Sequence, residues 1–199
     1  MNIEGYMESV LVYCGASPGT NPVYRETAEA LGLALVKRKI RLIYGGGSLG
    51  LMGVVSNTVM KNGGEATGII PNFLDKMEVG NPDLTEIHRV DTMHQRKSLM
   101  QELCDGIITL PGGFGSMDEL FEILTWAQLG LHQKPVGLLN INGFYDPLIA
   151  QIDVMVKEGF LRMENRGLMV ISDNIDDLFT KMENYEPVPV MKWLEKKGI

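Results

Sequence analysis

Short apolar runs alternate along the chain with longer segments in which apolar residues recur every three or four positions. The short runs are rich in β-branched residues, as is typical of buried strands, whereas the longer segments have the period of amphipathic helices. We predict seven strands, at residues 9–14, 40–44, 66–70, 86–90, 106–110, 136–140 and 168–172. The clearest helices are predicted at residues 22–38, 49–61, 93–103, 116–129 and 145–158.

This alternation predicts the fold class. Nearly continuous apolar strands joined by helices form a mostly parallel sheet with helices on both faces, so we expect a Rossmann-like, doubly wound α/β fold. Its crossovers should be right-handed, and ligands of such sheets bind beyond the carboxyl ends of the strands. Since no internal repeat or linker is evident, residues 1–199 are expected to form a single Rossmann-like nucleotide-binding domain, with a last short helix at 190–197 packed on its body.

Glycine-rich turns follow three of the predicted strands, at residues 14–19, 45–50 and 111–115. The third turn leads into a predicted helix, whose free N–H groups and positive dipole end form a site for an anion such as phosphate. Asp118 and Glu119 lie within one helical turn of that site. Phosphate binding alone gives no reason for carboxylates there, so their presence favours chemistry on a phosphorylated substrate.

The turn at residues 45–50 has the pattern G-x-G-x-x-G, which is found where dinucleotides bind. A dinucleotide site would also need an acidic residue at the end of the next strand, to hold the ribose hydroxyls. Glu65 precedes that strand instead of ending it, which argues against NAD. Backbone contact to a nucleotide is favoured, and a turn that serves only close packing stays open. The sequence also lacks the G-x-x-x-x-G-K-[ST] pattern of P-loop proteins.

Glu119 has two interpretations. Ser116 and Glu119 are spaced as a capping box, in which the Ser side chain caps a helix and the Glu side chain reaches back to its first residue. The turn before them is longer and richer in glycine than capping requires, which favours a functional role for Glu119. The two interpretations do not exclude each other.

Arg96 is unusual because it shares one face of its predicted helix with Met93, Met100 and Leu103. A charge on an apolar face must be paired or must reach solvent, so a structural ion pair or a snorkelling side chain would explain it. A functional alternative is a guanidinium aimed at a phosphate or carboxylate, for which its planar fork is suited. For the neighbouring Lys97 a functional role stays open, because a solvated side chain would also explain a lysine there.

Composition narrows the class of protein. The net charge of −7 over 199 residues, without a basic stripe, argues against nucleic-acid binding, and no apolar run is long enough to span a membrane. We expect no signal peptide and a reduced, cytoplasmic protein, in which Cys14 and Cys104 are free and buried. His88, His94 and His132 lack metal-ligand spacing, so we expect surface or hydrogen-bonded histidines.

Several motifs resemble those of one known family. PGGFGSMDE at residues 111–119 resembles the PGGxGTxxE motif of the LOG (Lonely Guy) family, and MHQRK at 93–97 resembles its MHxRK segment. Residues 45–53 and 125–130 also match, and the resemblance runs from about residue 9 to residue 185. Ser116 stands where the motif has Thr, and Ala16 stands where many relatives have Ser.

The resemblance implies an N-glycosidase. It would hydrolyse cytokinin riboside 5′-monophosphates or AMP to the free base and ribose 5-phosphate, without a metal or organic cofactor. Glu119 would activate water or stabilise the oxocarbenium-like sugar, and Arg96 would stabilise charge or orient that carboxylate. Relatives of this length are typically homodimers whose active site borrows from the partner.

The resemblance also implies a set of substrate contacts. The turn at residues 113–116, helped by the turn at 45–47, would hold the 5′-phosphate on backbone N–H groups. The substrate-binding candidates are Ser17, Gly45, Gly46, Gly47, Glu78, Lys97, Gly112, Gly113, Phe114, Gly115, Ser116, Met117, Asp118 and Thr125.

Two other functions stay open at this point. A similar cavity could hold a nucleotide or a phosphorylated cofactor without cleaving it, as molybdenum cofactor carriers do. A lysine decarboxylase, the activity with which the family is often labelled, would need a lysine placed for a Schiff base, and none is evident.

Overall fold

The computed structural model describes residues 7–75, 80–81 and 83–188. Glu78 and the helix predicted at residues 190–197 lie outside these ranges. The strands are β1 (Ser9–Tyr13), β2 (Arg41–Tyr44), β3 (Ala66–Pro71), β4 (Glu86–Val90), β5 (Gly106–Thr109), β6 (Val136–Leu139) and β7 (Met169–Ser172). The helices are α1 (Pro22–Arg38), α2 (Gly50–Lys61), α3 (Asn72–Asp75), α4 (Met93–Glu102), α5 (Phe114–Gln128), α6 (Asp146–Lys157), α7 (Met163–Arg166) and α8 (Ile175–Glu183), with a 3₁₀ turn at Ile141–Gly143.

All seven strands pair in parallel in one sheet with the order β4-β3-β2-β1-β5-β6-β7. The chain builds the sheet outward from β1 in one direction and then returns to add β5 on the other side. Val10 lies beside Gly106 and Tyr13 beside Thr109 in this central pair. The loops that follow β1 and β5 therefore diverge at the carboxyl edge of the sheet, where α/β folds bind ligands.

Alternation along the strands divides the core into two layers. Val10 and Val12 of β1 pack into one hydrophobic cluster, which includes side chains of α1, α2 and α8. Leu11 and Tyr13 point to the opposite face and pack with side chains of α4, α5 and α6. Helices therefore cover both faces of a parallel sheet, which confirms the predicted α/β class.

Local sequence explains where α1 and α4 begin. α1 begins after Asn21, whose side chain accepts a hydrogen bond from the Val23 N–H, and ends at Lys39 in the left-handed region. α4 begins with a capping box, in which the N–H of Gln95 donates to the Thr92 hydroxyl and the Gln95 side chain accepts from the Thr92 N–H. This box fixes the start of α4 at Met93, and Arg96 follows the box directly as the fourth residue of the helix.

Two of the longer helices differ from the prediction, and the short helices α3 and α7 are not among those predicted. α5 begins at Phe114, two residues before the predicted start, because the glycine turn itself enters the helix. α8 was not predicted, although Asn174 caps it and Asp176 and Asp177 lie in its first turn, both of which are helix-start signals. Within the described ranges, no helix is long and apolar enough to cross a membrane.

Candidate active site

A cavity of about 530 Å³ opens at the carboxyl edge of the sheet, where β1 and β5 diverge. The N–H of Gly15 donates to the Pro111 carbonyl at 3.1 Å and joins the two turns that form its floor. The described residues that line the cavity are Cys14, Gly15, Ala16, Ser17, Pro18, Gly19, Tyr24, Leu51, Met52, Arg96, Pro111, Gly112, Gly113, Phe114, Gly115, Ser116, Glu119 and Phe144.

One wall of the cavity is the N-terminus of α5. Gly113 is the N-cap, with an extended backbone and no side chain to cap the helix. The first intrahelical hydrogen bond is donated by the Met117 N–H to the Gly113 carbonyl, at 3.1 Å. The N–H groups of Phe114, Gly115 and Ser116 consequently have no acceptor within the helix. This wall offers several N–H donors and the positive end of a helix dipole to an anion.

The capping-box interpretation of Ser116 and Glu119 is wrong. Because α5 begins at Phe114, Ser116 is the third residue of the helix and Glu119 lies in its second turn, too far along to reach the N-cap. The Ser116 side chain is buried against Gly112, at which any side chain would overlap the Ser116 hydroxyl. Glu119 therefore has no capping role, and its position needs another explanation.

Glu119 is a buried carboxyl that faces a buried guanidinium. Its Oε1 atom lies 4.0 Å from Nη1 of Arg96, and its side chain is 12% exposed. Burial raises the pKa of Glu119 from 4.5 to about 7, although the charges of Arg96 and Lys97 lower it. A carboxyl that titrates near neutral pH at the wall of a cavity can exchange protons there, as acid–base catalysts do.

The Arg96 side chain is held by backbone carbonyls. Its Nε atom donates to the carbonyl of Ile69 and its Nη2 atom to that of Gly45, both at 3.1 Å, while Nη1 lies 3.9 Å from the sulfur of Met93. The side chain is buried and does not snorkel to solvent. These contacts orient the guanidinium but leave its charge only loosely paired with Glu119, so it can act on a ligand in the cavity.

The turn at residues 45–50, which was expected to help to hold the 5′-phosphate, contacts Arg96 instead. Gly45, Gly46 and Gly47 are not among the described residues that line the cavity. The Gly45 carbonyl instead accepts from Arg96, and a side chain at Gly45 would overlap that guanidinium. Gly46 has a φ of +79°, in the left-handed region that favours glycine. This turn positions Arg96.

Lys97 is not a solvated side chain, which rules out one of its two interpretations. Lys97 is buried, and its Nζ atom lies 2.7 Å from Oδ2 of Asp118 and 3.2 Å from Oε2 of Glu122. Burial lowers the pKa of Lys97, but hydrogen bonds to the two carboxylates outweigh it and raise the pKa above its usual value. The helices α4 and α5 are joined by this pair as well as by Arg96 and Glu119.

Apart from the turn at residues 45–47 and Glu78, which lies outside the described ranges, the candidate residues fall into two groups. Those that the structure brings to the cavity are Ser17, Arg96, Gly112, Gly113, Phe114, Gly115, Ser116 and Glu119. Lys97, Met117, Asp118 and Thr125 lie on α4 and α5 but do not line it, and the Thr125 hydroxyl donates to the Phe121 carbonyl within the helix.

The sequence interpretation missed an apolar wall of the cavity. Tyr24 and Phe144 pack edge to face with ring centroids 5.7 Å apart, and Leu51 and Met52 lie on the same cavity surface. Phe144 packs in turn against the buried Tyr145, whose hydroxyl donates to the Leu110 carbonyl. These residues follow the carboxyl ends of β1, β2 and β6. Their position after these strand ends could have identified them as candidates, because ligands of such sheets bind there.

The cysteines and one histidine are structural. Cys14 and Cys104 are free and buried, as predicted, and burial raises the pKa of both thiols, which leaves them protonated. Nε2 of His132 lies 2.9 Å from the Ile123 carbonyl, and its Nδ1 accepts from the Lys134 N–H. Burial lowers the pKa of His132, so the ring is neutral and hydrogen-bonded.

The sequence matches a described family and several named proteins. Residues 52–182 match the family described as possible lysine decarboxylase. The cytokinin riboside 5′-monophosphate phosphoribohydrolase LOG of Oryza sativa subsp. japonica is 46% identical over 178 residues, which cover 89% of this chain and 74% of the relative. The chain belongs to the LOG family. Another member, the cytokinin riboside 5′-monophosphate phosphoribohydrolase LOG7 of Arabidopsis thaliana, is 47% identical over 89% of this chain and 82% of its own length.

Solved structures share the fold of this LOG-family chain. The molybdenum cofactor carrier protein of Chlamydomonas reinhardtii superposes with a TM-score of 0.65 over 88% of this chain and 96% of its own. Its sequence identity to this chain is 16%, so the likeness shows the fold alone. The named relatives, which are far more similar in sequence, are phosphoribohydrolases.

Proposed function

We propose that this LOG-family chain is a nucleoside 5′-monophosphate phosphoribohydrolase, an N-glycosidase. It hydrolyses cytokinin riboside 5′-monophosphates or AMP to the free base and ribose 5-phosphate. The observation that carries this proposal is the buried Glu119 carboxyl, with a pKa of about 7, that lies 4.0 Å from Arg96 at the wall of the cavity. The helix N-terminus on the same cavity supplies the phosphate site that such a substrate needs.

In the proposed reaction the N-terminus of α5, Glu119 and Arg96 have separate roles. The N–H groups at the start of α5 hold the 5′-phosphate, which places the sugar beside Glu119. As the C1′–N bond breaks, the base leaves with the bonding electron pair, and the Glu119 carboxylate stabilises the positive charge that develops on the sugar. Water then bonds to C1′ and gives one proton to Glu119, and that proton passes to the departing base, which returns Glu119 to its carboxylate form. Arg96 keeps Glu119 ionised and oriented while the charge moves.

The apolar wall fits the base. Tyr24, Phe144, Leu51 and Met52 offer aromatic and aliphatic surface to a flat purine ring in the same cavity as the α5 terminus. Adenine and prenylated adenine are both apolar enough for such a surface. The test therefore uses both nucleotides, AMP and isopentenyladenosine monophosphate, in parallel.

The test compares wild type with Glu119→Gln. Wild type should release free base and ribose 5-phosphate in equal amounts. The variant should lose at least about a hundredfold in kcat, because an amide neither carries charge nor accepts a proton. Glutamine preserves shape, and thermal unfolding checks that the variant is folded. Undiminished release by this variant contradicts the assigned role of Glu119.

Other outcomes separate the alternatives. Tight binding of a nucleotide that is recovered intact from wild type would favour a carrier. A lysine decarboxylase would need a lysine at the cavity, and the described lining residues include none. Consumption of lysine that depends on pyridoxal phosphate is the result that would favour that activity.

We also propose that the chain acts as a homodimer in the cytoplasm. The apolar side chains of Phe121, Leu129 and Leu131 are exposed along and just beyond α5, and Phe114 is 95% exposed at the mouth of the cavity. A self-complementary contact through this face would bury them and bring the partner close to the site. The two free thiols fit a reducing compartment.

A further inference from the structure

Lys97 occupies an unusual position for a lysine. It follows Arg96 on α4, is buried, and has both of its carboxylate partners on α5. Asp118 is the residue immediately before Glu119, and Glu122 lies one turn after it. The three contacts between the helices, made by Arg96 with Glu119 and by Lys97 with Asp118 and Glu122, therefore lie side by side.

Of the two contacts made by Lys97, the one to Glu122 is less exposed to solvent. The Glu122 side chain is 24% exposed and that of Asp118 is 63% exposed. Exposed ion pairs stabilise little, whereas a partly buried pair is screened less and holds its geometry better. Lys97 therefore fixes α5 at two points, through the shorter contact to Asp118 and through the less exposed contact to Glu122, on either side of Glu119.

We propose that Lys97 is a positioning residue, which holds α5 against α4 through Glu122 and Asp118 so that the Glu119 carboxyl stays opposite the Arg96 guanidinium. This role rests on the proposed function, because the reaction it serves is that of Glu119. It differs from the substrate contact that the family resemblance implies for Lys97, and the experiment below separates the two roles. The Lys97 side chain does not line the cavity, and its ammonium group is turned to two carboxylates of α5.

The same contacts balance the charge around Glu119. Burial is the main cause that raises the pKa of Glu119, Arg96 and Lys97 lower it, and Asp118 and Glu122 raise it. The titratable or charged groups that interact with Glu119, among the residues described, are Arg96 and Lys97 of α4, Asp118 and Glu122 of α5, and Tyr13 and Cys14 at the end of β1. Tyr13 and Cys14 are neutral, so Lys97 is the cation that offsets the two flanking carboxylates.

The experiment uses two variants that should act in opposite directions. Lys97→Met removes the cation beside Glu119 and should raise the midpoint of the Glu119 titration by about one unit. Glu122→Gln removes an anion and should lower the same midpoint. The titration is followed by the ¹³C resonance of the Glu119 carboxyl, assigned by its loss in Glu119→Gln, and by the pH profile of kcat/KM for AMP.

The double variant separates position from charge. In Lys97→Met with Glu122→Gln the two shifts should largely cancel, yet kcat at pH 8.5 should stay about tenfold below wild type, because the contact between the helices is not restored. KM for AMP should remain near wild type throughout. Lys97→Arg, which keeps the charge and can still pair, should recover most of kcat. Lys181→Met breaks an exposed ion pair with Asp177 on α8 and serves as the control that changes none of these quantities.

A substrate-binding role would give a different result. If Lys97→Met raises KM for AMP more than tenfold and leaves the Glu119 midpoint in place, the positioning role is overturned. If Lys97→Met does not fold, Glu122→Gln decides, since an unshifted midpoint in that variant also overturns it. The carboxyl titration needs no turnover, so it still reads the effect of Lys97 on Glu119 if wild type releases no base and the proposed function fails.

Discussion

The two glycine-rich turns at residues 45–50 and 111–115 look alike in sequence but present opposite ends of the peptide group to the site. The turn at 111–115 enters α5 and leaves N–H groups free beside the cavity. The turn at 45–50 lies outside the cavity lining and gives the Gly45 carbonyl to Arg96. One turn is suited to an anion and the other to a cation. Glycine content alone therefore does not identify a phosphate-binding loop.

The largest effect should come from closing the space beside Arg96. Gly45→Ala places a methyl group where the guanidinium lies, so Arg96 must move away from Glu119. A displacement of about 1 Å at a catalytic group costs about a hundredfold in kcat. KM for AMP should change little, because the phosphate contacts lie on the other turn. Steady-state kinetics measures both, and a large rise in KM with unchanged kcat would mean that this turn binds phosphate.

The second prediction concerns the Glu119 carboxyl. It lies on the helix that follows one turn and faces Arg96, which the other turn holds. The pKa of Glu119 is raised in the folded protein, so the folded state holds the Glu119 proton more tightly than the unfolded state does. The stability that this proton contributes is fully present below about pH 4.5 and is lost as the pH rises through about 7. Glu119→Gln cannot ionise, so at pH 8.5 it should be more stable than wild type by up to about 3 kcal/mol.

Thermal unfolding of Glu119→Gln and wild type across pH 5 to 8.5 measures this difference. The gap should be small at pH 5 and should widen as the pH rises. Glu65→Gln, at an exposed carboxylate paired with Arg41 on the amino edge of the sheet, should not show the widening. A gap that stays constant with pH would mean that Glu119 is not a raised-pKa carboxyl.

The smallest effect should come from adding charge to the turn that opens α5. Gly115 is exposed and has open space for a side chain. Gly115→Asp should favour the helix start by about 0.3–1 kcal/mol, because an anion suits the N-terminal dipole. It should also raise KM for AMP about tenfold by repelling the phosphate, which corresponds to about 1.4 kcal/mol. Gly115→Asn adds a similar volume without charge, and an equal KM for the two variants would contradict a phosphate at this turn.

The fold is largely predictable from the sequence, because its strands and helices follow the local spacing of apolar residues along the chain. All seven strands were found, and the predicted bounds of α1 are those observed, since Asn21 and Pro22 mark its start. Arg96 was singled out by its place on an apolar helix face, a pattern visible without the fold. The strand–turn–helix order likewise located the α5 terminus.

Other features depended on contacts between distant segments. The capping box failed because Gly113, not Ser116, ends the turn, which only the path of the backbone decides. The carboxylate partners of Lys97 lie on another helix, and the aromatic wall joins Tyr24 to Phe144 across the sheet edge. Such contacts have no local sequence pattern.

The carbonyl contacts to Arg96 have one more consequence, which concerns conformational entropy. An arginine side chain that is free to rotate loses about 2 kcal/mol when it is fixed in one rotamer. Here the carbonyls of Gly45 and Ile69 fix the guanidinium within the protein itself. That entropy is therefore lost when the chain folds and not when a nucleotide arrives. The binding free energy of the nucleotide then remains available for orienting its sugar, and the stability of the fold is correspondingly lower.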